Sequence, residues 1–173
     1  MDAKNPGPSC LDPDGIVVEA ERARRYEAHL SVLLVNVDGL GLVNEKLGRE
    51  AGDACLAELA TLIRANIRRI DVMGRWAEED FIILTVDRNS FGSIALAEKL
   101  RRAISDHSFT VQGHEVRLTV SVGVARGVPA GEKEIDDLIL AARSAVIRAK
   151  STGRNRIEYS DTGGEVAIAN PKS

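Results

Sequence analysis

The sequence predicts an α/β (α+β) fold in which helices pack on a central β-sheet. Three observations indicate it. Short apolar segments alternate with segments of helical periodicity, and two pairs of β segments are each joined by a tight polar turn. In addition, 44% of the 173 residues are hydrophobic, which is enough to build one ordinary globular domain with a substantial core.

The first half of the chain begins with an irregular segment and then becomes mainly helical. Residues 1–15 carry three of the five prolines, so we expect a flexible N-terminal lead. Four elements are then predicted in order: a helix over 16–28, a central strand over 30–38, and helices over 40–47 and 50–68. Because the strand is a nearly continuous run of Val and Leu, both of its faces should be covered.

Two hairpins are predicted in the second half. The β segments 72–76 and 81–86 flank the polar tetrapeptide 77–80, in which no residue adopts positive φ easily. The remaining elements are a helix over 91–105, a hairpin over 108–125 that turns at 112–114, a helix over 133–151 and a closing strand over 156–160. We expect residues 161–173 to form a loose tail.

The charge balance and cysteine content argue against several classes of protein. The chain has 23 basic and 26 acidic residues, so it lacks the basic footprint that binds the phosphates of DNA or RNA. No apolar run has the length of a membrane segment, and residues 1–14 are polar where a signal peptide would be apolar. Cys10 and Cys55 lie in very different contexts, which disfavours a disulfide framework. These features predict a cytoplasmic single domain.

Four segments carry a family resemblance through their order and spacing. They are NVDGLGLVNEKLGREAGD (36–53), RRIDVMGRWAEEDF (68–81), LTVSVGVA (118–125) and RAKSTGRNR (148–156). Together they make residues 16–160 resemble the GGDEF family, the diguanylate cyclase domains. The resemblance implies a palm-like, mainly antiparallel five-stranded sheet with an extra hairpin that carries the signature turn. It also implies that two GTP molecules are condensed into cyclic di-GMP.

This reaction requires a metal ion beside the phosphates. Attack of a ribose 3′-hydroxyl on an α-phosphate uses Mg²⁺ to neutralise charge, and Mg²⁺ prefers hard oxygen ligands. The resemblance places these ligands at Asn36, where the family has an aspartate, and at Glu79. The amide oxygen of Asn36 brings no charge, whereas Asp38 keeps the second acid of the motif. We therefore expect a weakened magnesium site.

The signature turn itself departs from the family pattern. Where the family has Gly-Gly-Asp/Glu-Glu-Phe, this chain has Ala77-Glu78-Glu79-Asp80-Phe81, so its catalytic positions are Glu78, Glu79 and Asp80. Glu78 adds a Cβ where glycine allows close approach. It also places a carboxylate near the phosphates, which costs roughly 3 kcal/mol at ~5 Å and an effective dielectric constant of about 20. Gly41 replaces the family's lysine as well, and we expect an impaired cyclase.

Other positions of the family's substrate site are retained. Asn44 and Asp53 stand where the family reads the guanine edge, and a carboxylate can accept hydrogen bonds from the guanine N1–H and 2-amino groups. Taken alone, Asn44 would be an ordinary helix residue and Asp53 a helix cap. Lys150 and Arg154 match the pair that holds the triphosphate, although basic residues near a helix C-terminus are usually dipole partners or solvated charges.

A second motif precedes the signature turn. Arg68 and Asp71 match the family's R-x-x-D inhibitory motif, so the resemblance implies that they bind a dimer of intercalated cyclic di-GMP. A guanidinium group suits both phosphate and the guanine Hoogsteen edge. The alternative is an i,i+3 surface ion pair at a helix end. A further cation for this site is available from the next helix at Lys99, Arg101 or Arg102.

Three hypotheses about function follow. We adopt the first, a degenerate GGDEF domain that binds cyclic di-GMP through Arg68 and Asp71. The second is an active cyclase that binds GTP and Mg²⁺, and the third is an interaction module without a nucleotide. An active enzyme would pair two GTP-loaded domains in a two-fold homodimer, which a receptor does not need. We recognise no sensory domain in the sequence, so the input comes from an unknown sensory or effector partner or from a segment outside this sequence.

Overall fold

A computed structural model of the chain describes residues 13–26, 28–87, 91–129 and 132–161. Within these ranges there are five helices: α1 Pro13–Arg25, α2 Leu40–Leu47, α3 Arg49–Asn66, α4 Gly92–Asp106 and α5 Glu132–Ser151. The same ranges contain seven strands: β1 His29–Asp38, β2 Val72–Ala77, β3 Asp80–Asp87, β4 Phe109–Val111, β5 His114–Val116, β6 Thr119–Gly127 and β7 Arg156–Asp161.

Five of the strands form one sheet in the order β2-β3-β1-β6-β7. The first three pairings in this order are antiparallel, and only β6 and β7 run parallel within the sheet. The register places Asn36 of β1 opposite Asp80 of β3 on one side and Ser121 of β6 on the other. The predicted mainly antiparallel five-stranded sheet is therefore confirmed.

Helices cover both faces of this sheet. Leu33, Val35 and Val37 of β1 belong to the core that includes residues of α3 and α4. Leu30, Val32 and Leu34 of the same strand belong to a second core with residues of α1 and α5. A strand that is buried on both faces has no polar positions to alternate with, which explains its continuous apolar sequence.

The structure differs from the predictions at several boundaries. Helix α1 begins at Pro13, so residues 13–15 belong to a helix and not to the predicted flexible lead. Proline suits the first helical position because its φ is preset and its missing N–H is not needed there. The rest of the predicted lead lies outside the described residues, as does the predicted tail beyond Asp161.

The predicted hairpin over 108–125 is in fact interrupted. Strands β4 and β5 close on Gln112 and Gly113, which have φ values of 50° and 77°, and they form a separate two-stranded ribbon. Positive φ at both loop residues matches the twist of a tight hairpin. Leu118 is then buried in the core, and β6 continues into the main sheet. The extra hairpin is thus β4–β5, and the hairpin that carries the signature turn forms two strands of the main sheet.

Candidate functional site

The end of β1 contacts the start of β3 through two side chains. Asn36 Nδ2 donates a hydrogen bond to Asp80 Oδ1 at 2.5 Å. Asn36 therefore presents its NH₂ group to Asp80. Its Oδ1 atom is buried, and no described residue donates to it. The amide oxygen that was expected to coordinate a metal therefore does not face solvent.

The signature turn is a two-residue loop formed by Glu78 and Glu79. Ala77 pairs with Asp80, and the register shifts between Arg75 and Ala77, as in a β-bulge. Neither loop residue is among the described residues with positive φ. The backbone at Glu78 therefore needs no glycine, and the unfavourable effects that remain are the Cβ, which limits close approach to the turn, and the charge.

Arg75 holds this turn in place. Its Nε donates to the Ala77 carbonyl at 3.0 Å and its Nη2 donates to the Glu78 carbonyl. The guanidinium carbon lies 5.3 Å from the centroid of the Phe81 ring, a cation–π distance. Sequence reasoning did not select Arg75, although a guanidinium three residues before a polar loop can reach the carbonyl groups at the start of that loop.

A backbone contact joins the turn to the central strand. The Val37 N–H donates to the Glu79 carbonyl at 3.1 Å. The loop is therefore tied both to its own hairpin through Arg75 and to β1 through Val37. This contact fixes Glu79 beside the strand end that carries Asn36.

A cleft of about 290 Å³, termed the turn cleft, lies between α2, α3 and the signature turn. Four of the predicted site residues line it: Asn44, Asp53, Glu78 and Glu79. Its other lining residues are Leu40, Arg49, Leu56 and Arg75. The structure thus brings the expected guanine-reading pair and two signature-turn residues to one concave surface.

The guanine-reading positions have distinct environments in the turn cleft. Asn44 Oδ1 is buried without a hydrogen-bond donor among the described residues. Gly52 makes room for it, since a Cβ at that position would lie 1.8 Å from Asn44 Oδ1. Asp53 is exposed within α3, whose N-cap is Gly48, so it does not cap the helix. The cap interpretation of Asp53 is therefore wrong.

Asp38 collects donors from three distant parts of the chain. It accepts hydrogen bonds from the hydroxyl groups of Thr119 and Ser121, both at 2.8 Å, and from the Asn155 N–H at 3.1 Å. Lys150 Nζ lies 3.6 Å from its Oδ1 atom. Lys150, predicted to hold a triphosphate, is therefore paired with a buried carboxylate.

Arg154 lies in the connection between α5 and β7. Its φ is 62°, its N–H donates to the Ala149 carbonyl at 2.9 Å, and it is exposed. The lining of the turn cleft described above includes neither Arg154 nor Lys150. Lys150 lies instead at the end of β1, where its Nζ atom pairs with Asp38.

A second pocket, of about 320 Å³, lies at the C-terminal end of α3 and is termed the RxxD pocket. Its lining includes Arg68, Asp71, Thr85 and Lys99. Arg68 Nη2 lies 3.0 Å from Asp71 Oδ1 and donates to Thr85 Oγ1 at 2.5 Å. The Asp71 side chain is 1% exposed, whereas that of Arg68 is 50% exposed. The i,i+3 ion pair of the alternative interpretation is present, but its carboxylate is buried.

The structure distinguishes the three cations of α4. Lys99 lines the RxxD pocket and donates to the Asn66 carbonyl at 3.1 Å. Arg101 and Arg102 each donate to Glu98 at 2.7 Å. The hydrogen bond from Arg101, more than any other contact, lowers the pKa of Glu98 to about 2. Lys99 is therefore the cation of this helix that belongs to the pocket.

No helix in the described ranges is both long and apolar enough to span a membrane.

Residues 14–156 match the family model described as "Diguanylate cyclase, GGDEF domain". The chain is 34% identical over 152 residues to the bifunctional diguanylate cyclase/cyclic di-GMP phosphodiesterase MucR of Pseudomonas aeruginosa. This match covers 88% of this chain and 22% of that protein. It is 30% identical over 129 residues to the response regulator PleD of Caulobacter vibrioides, with coverages of 74% and 28%.

Solved structures give the same assignment. The active GGEEF domain of a diguanylate cyclase from Vibrio cholerae matches with a TM-score of 0.74 and 27% sequence identity. The match covers 84% of this chain and 92% of that one. The chain thus corresponds to nearly a whole solved domain, but to less than a third of the length of the two curated relatives.

Proposed function

The chain belongs to the GGDEF family of diguanylate cyclase domains, and we propose that it acts in cyclic di-GMP signalling as a receptor. In this proposal, cyclic di-GMP binds in the RxxD pocket through Arg68. The turn cleft retains the capacity to bind a guanine nucleotide, but it turns GTP over poorly.

The observation that supports a receptor over a cyclase is the hydrogen bond from Asn36 to Asp80, which accounts for poor GTP turnover. Glu79 can supply one carboxylate for Mg²⁺, but Asn36 presents its NH₂ group and keeps its oxygen buried. An NH₂ group is not a ligand for a hard cation. The pair as arranged therefore does not fit the metal ion that the family's reaction uses.

The RxxD pocket has the chemistry of an anion receptor. Lys99 and the half-exposed guanidinium of Arg68 line it, and the single carboxylate among its lining residues is that of Asp71. Because the Asp71 side chain is buried against Arg68, we assign it the role of orienting the guanidinium. Arg68 can then bind a phosphate or the Hoogsteen edge of guanine with its exposed part.

A second candidate function, cyclase activity, is favoured by the turn cleft. Asn44, Asp53 and Glu79 line one concave surface, and Glu78 has no backbone strain that would open the turn. Asn44 Oδ1 is buried and has no donor among the described residues, so rotation of this amide toward the cleft would give a guanine amino group an acceptor. Turnover would additionally require two GTP-loaded copies in a two-fold pair.

Calorimetric titration with cyclic di-GMP tests the receptor proposal. We expect the unchanged protein to bind and Arg68→Ala to weaken binding by about 1–3 kcal/mol, the range for a charged hydrogen-bonding partner. Arg69→Ala is the matched control, because it removes an exposed guanidinium from the adjacent position. Equal affinity of the unchanged protein and Arg68→Ala would place the ligand elsewhere.

Incubation with Mg²⁺ and GTP tests the second candidate. Chromatography then quantifies cyclic di-GMP over time. The proposal predicts less than one product molecule per protein, whereas accumulation over many turnovers would establish the cyclase function.

A further inference from the structure

We infer that Arg49 allows the turn cleft to accept the phosphates of a guanine nucleotide in spite of Glu78, because it holds and neutralises the Glu78 carboxylate. The inference rests on the proposed nucleotide binding in this cleft. It assigns to Arg49 a positioning role that depends on the residue at position 78.

The first support is the contact between these two side chains. Arg49 is the first residue of α3, and its Nη2 atom lies 3.5 Å from Glu78 Oε1. Both residues line the turn cleft, one from the helix and one from the loop. A cation at a helix N-terminus is disfavoured by the helix dipole. The nearby carboxylate of Glu78 offsets that disfavoured charge.

The second support is the charge of the cleft lining. Two guanidinium groups, Arg49 and Arg75, stand against the three carboxylates of Asp53, Glu78 and Glu79. Arg75 is engaged with the carbonyl groups of the turn. Arg49 is thus the cleft cation that bonds to a carboxylate of the turn. Without it, an incoming phosphate would face the uncompensated charge of Glu78.

Exposure argues against a role in folding. The side chains of Arg49 and Glu78 are 79% and 88% exposed, and such pairs contribute little to the stability of a protein. If the pair only tethered the turn to α3, its loss would weaken the binding of every ligand of the cleft equally. If the pair neutralises charge, its loss would weaken only the binding of ligands that carry phosphates.

The experiment is a double-mutant cycle of the full chain with Arg49→Gln, Glu78→Gln and the double variant. The probes are guanosine and guanosine 5′-(α,β-methylene)triphosphate, which cannot release pyrophosphate. Both are titrated by NMR in the presence of Mg²⁺, so that weak binding is measured. Arg49→Lys is the conservative variant, since it keeps the positive charge.

We expect Arg49→Gln to weaken triphosphate binding about five- to tenfold when Glu78 is present and about twofold or less in the Glu78→Gln background. Guanosine affinity should stay within about twofold in all variants, and Arg49→Lys should retain most of the triphosphate affinity. Equal losses in both backgrounds, or a parallel loss of guanosine binding, would overturn the role of Arg49. If no variant binds either probe, the proposed nucleotide binding fails, and this inference fails with it.

Discussion

The two ends of helix α3 carry pockets of similar size but opposite charge balance. The turn cleft lies at its N-terminal end and the RxxD pocket at its C-terminal end, about 290 and 320 Å³ in volume. With 18 residues, α3 is roughly 27 Å long at 1.5 Å per residue. Two guanidinium groups and three carboxylates line the cleft, whereas two cations and one carboxylate line the pocket.

This difference means that an anionic ligand would require different compensating charges in the two cavities. The pocket presents an excess of positive charge to a phosphate without any added cation. The cleft presents an excess of negative charge, so it needs a metal ion or the neutralisation of Glu78. Glu78 lines the cleft and Asn36 lies beside the signature turn, whereas neither residue lines the pocket, so a change at one site can be made while binding at the other is monitored.

The largest effect is expected from Asn36→Asp combined with Glu78→Gly. The first change restores a carboxylate beside Glu79, and the second removes a like charge from the turn. GTP turnover should rise by up to about a hundredfold, the equivalent of roughly 3 kcal/mol in the barrier, a ceiling that Arg49 lowers to the extent that it already neutralises Glu78. Chromatographic quantification of cyclic di-GMP measures it.

A control comes from the contact between Asn36 and Asp80. The aspartate introduced by Asn36→Asp would face Asp80 as a like charge, so the melting temperature of the double variant should depend on Mg²⁺. Cyclic di-GMP affinity in the RxxD pocket should stay within about twofold. If GTP turnover remains undetectable, these two positions are not the cause of the impairment.

The next largest effect is expected from Gly52→Ala in the turn cleft. The added Cβ would lie 1.8 Å from Asn44 Oδ1, so the amide must leave its present position. Affinity for a GTP analogue should fall at least tenfold while cyclic di-GMP binding in the pocket is retained. Ala57→Ser, which adds one atom at an exposed position of the same helix, should change neither affinity. Normal GTP-analogue binding by Gly52→Ala would remove Asn44 from the guanine site.

At the other end of α3, a smaller effect is expected from Lys99→Ala. Loss of this cation should weaken cyclic di-GMP binding about five- to tenfold, because one charge-assisted contact in the RxxD pocket disappears. The matched control is Arg102→Ala, which removes an exposed cation from α4 that binds Glu98 and not the pocket. Similar calorimetric affinities for the two variants would show that Lys99 makes no contact with the ligand.

The sequence alone predicted the elements whose signals are local. The apolar run of β1, the periodicity of α3 and the turn at Gln112 and Gly113 each depend on neighbouring residues only. The family resemblance further predicted that Asn44 and Asp53 would share a site, and they line one cleft.

Contacts between distant segments could not be predicted in this way. Asp38 accepts a hydrogen bond from the Asn155 N–H, 117 positions away, and this junction also accounts for the pairing of Lys150. The register shift between Arg75 and Ala77 likewise had no signal in the sequence, although the absence of positive φ at Glu78 agrees with the preferences of the residues at 77–80. The charges and the backbone conformation at the turn depend on the register between strands, and that register cannot be determined from a single sequence.

The smallest effect concerns Glu98, which organises the α4 cations without lining either site. Hydrogen bonds from Arg101 and Arg102 lower its pKa from 4.5 to about 2. A lowered pKa means that the folded state is stabilised by the ionised form above pH 4.5, and that this stabilisation is lost as the pH falls toward 2.

Glu98→Gln should therefore lower the free energy of unfolding by about 1 kcal/mol at pH 7, a value reduced because the side chain is 31% exposed. Urea unfolding at pH 7 and near pH 2.5 measures both differences, and a deficit of the same size at the two pH values would rule out this ionic contribution. Arg101 also bonds to Asn155 Oδ1, so the variant further tests whether α4 steadies the α5–β7 connection that carries Arg154.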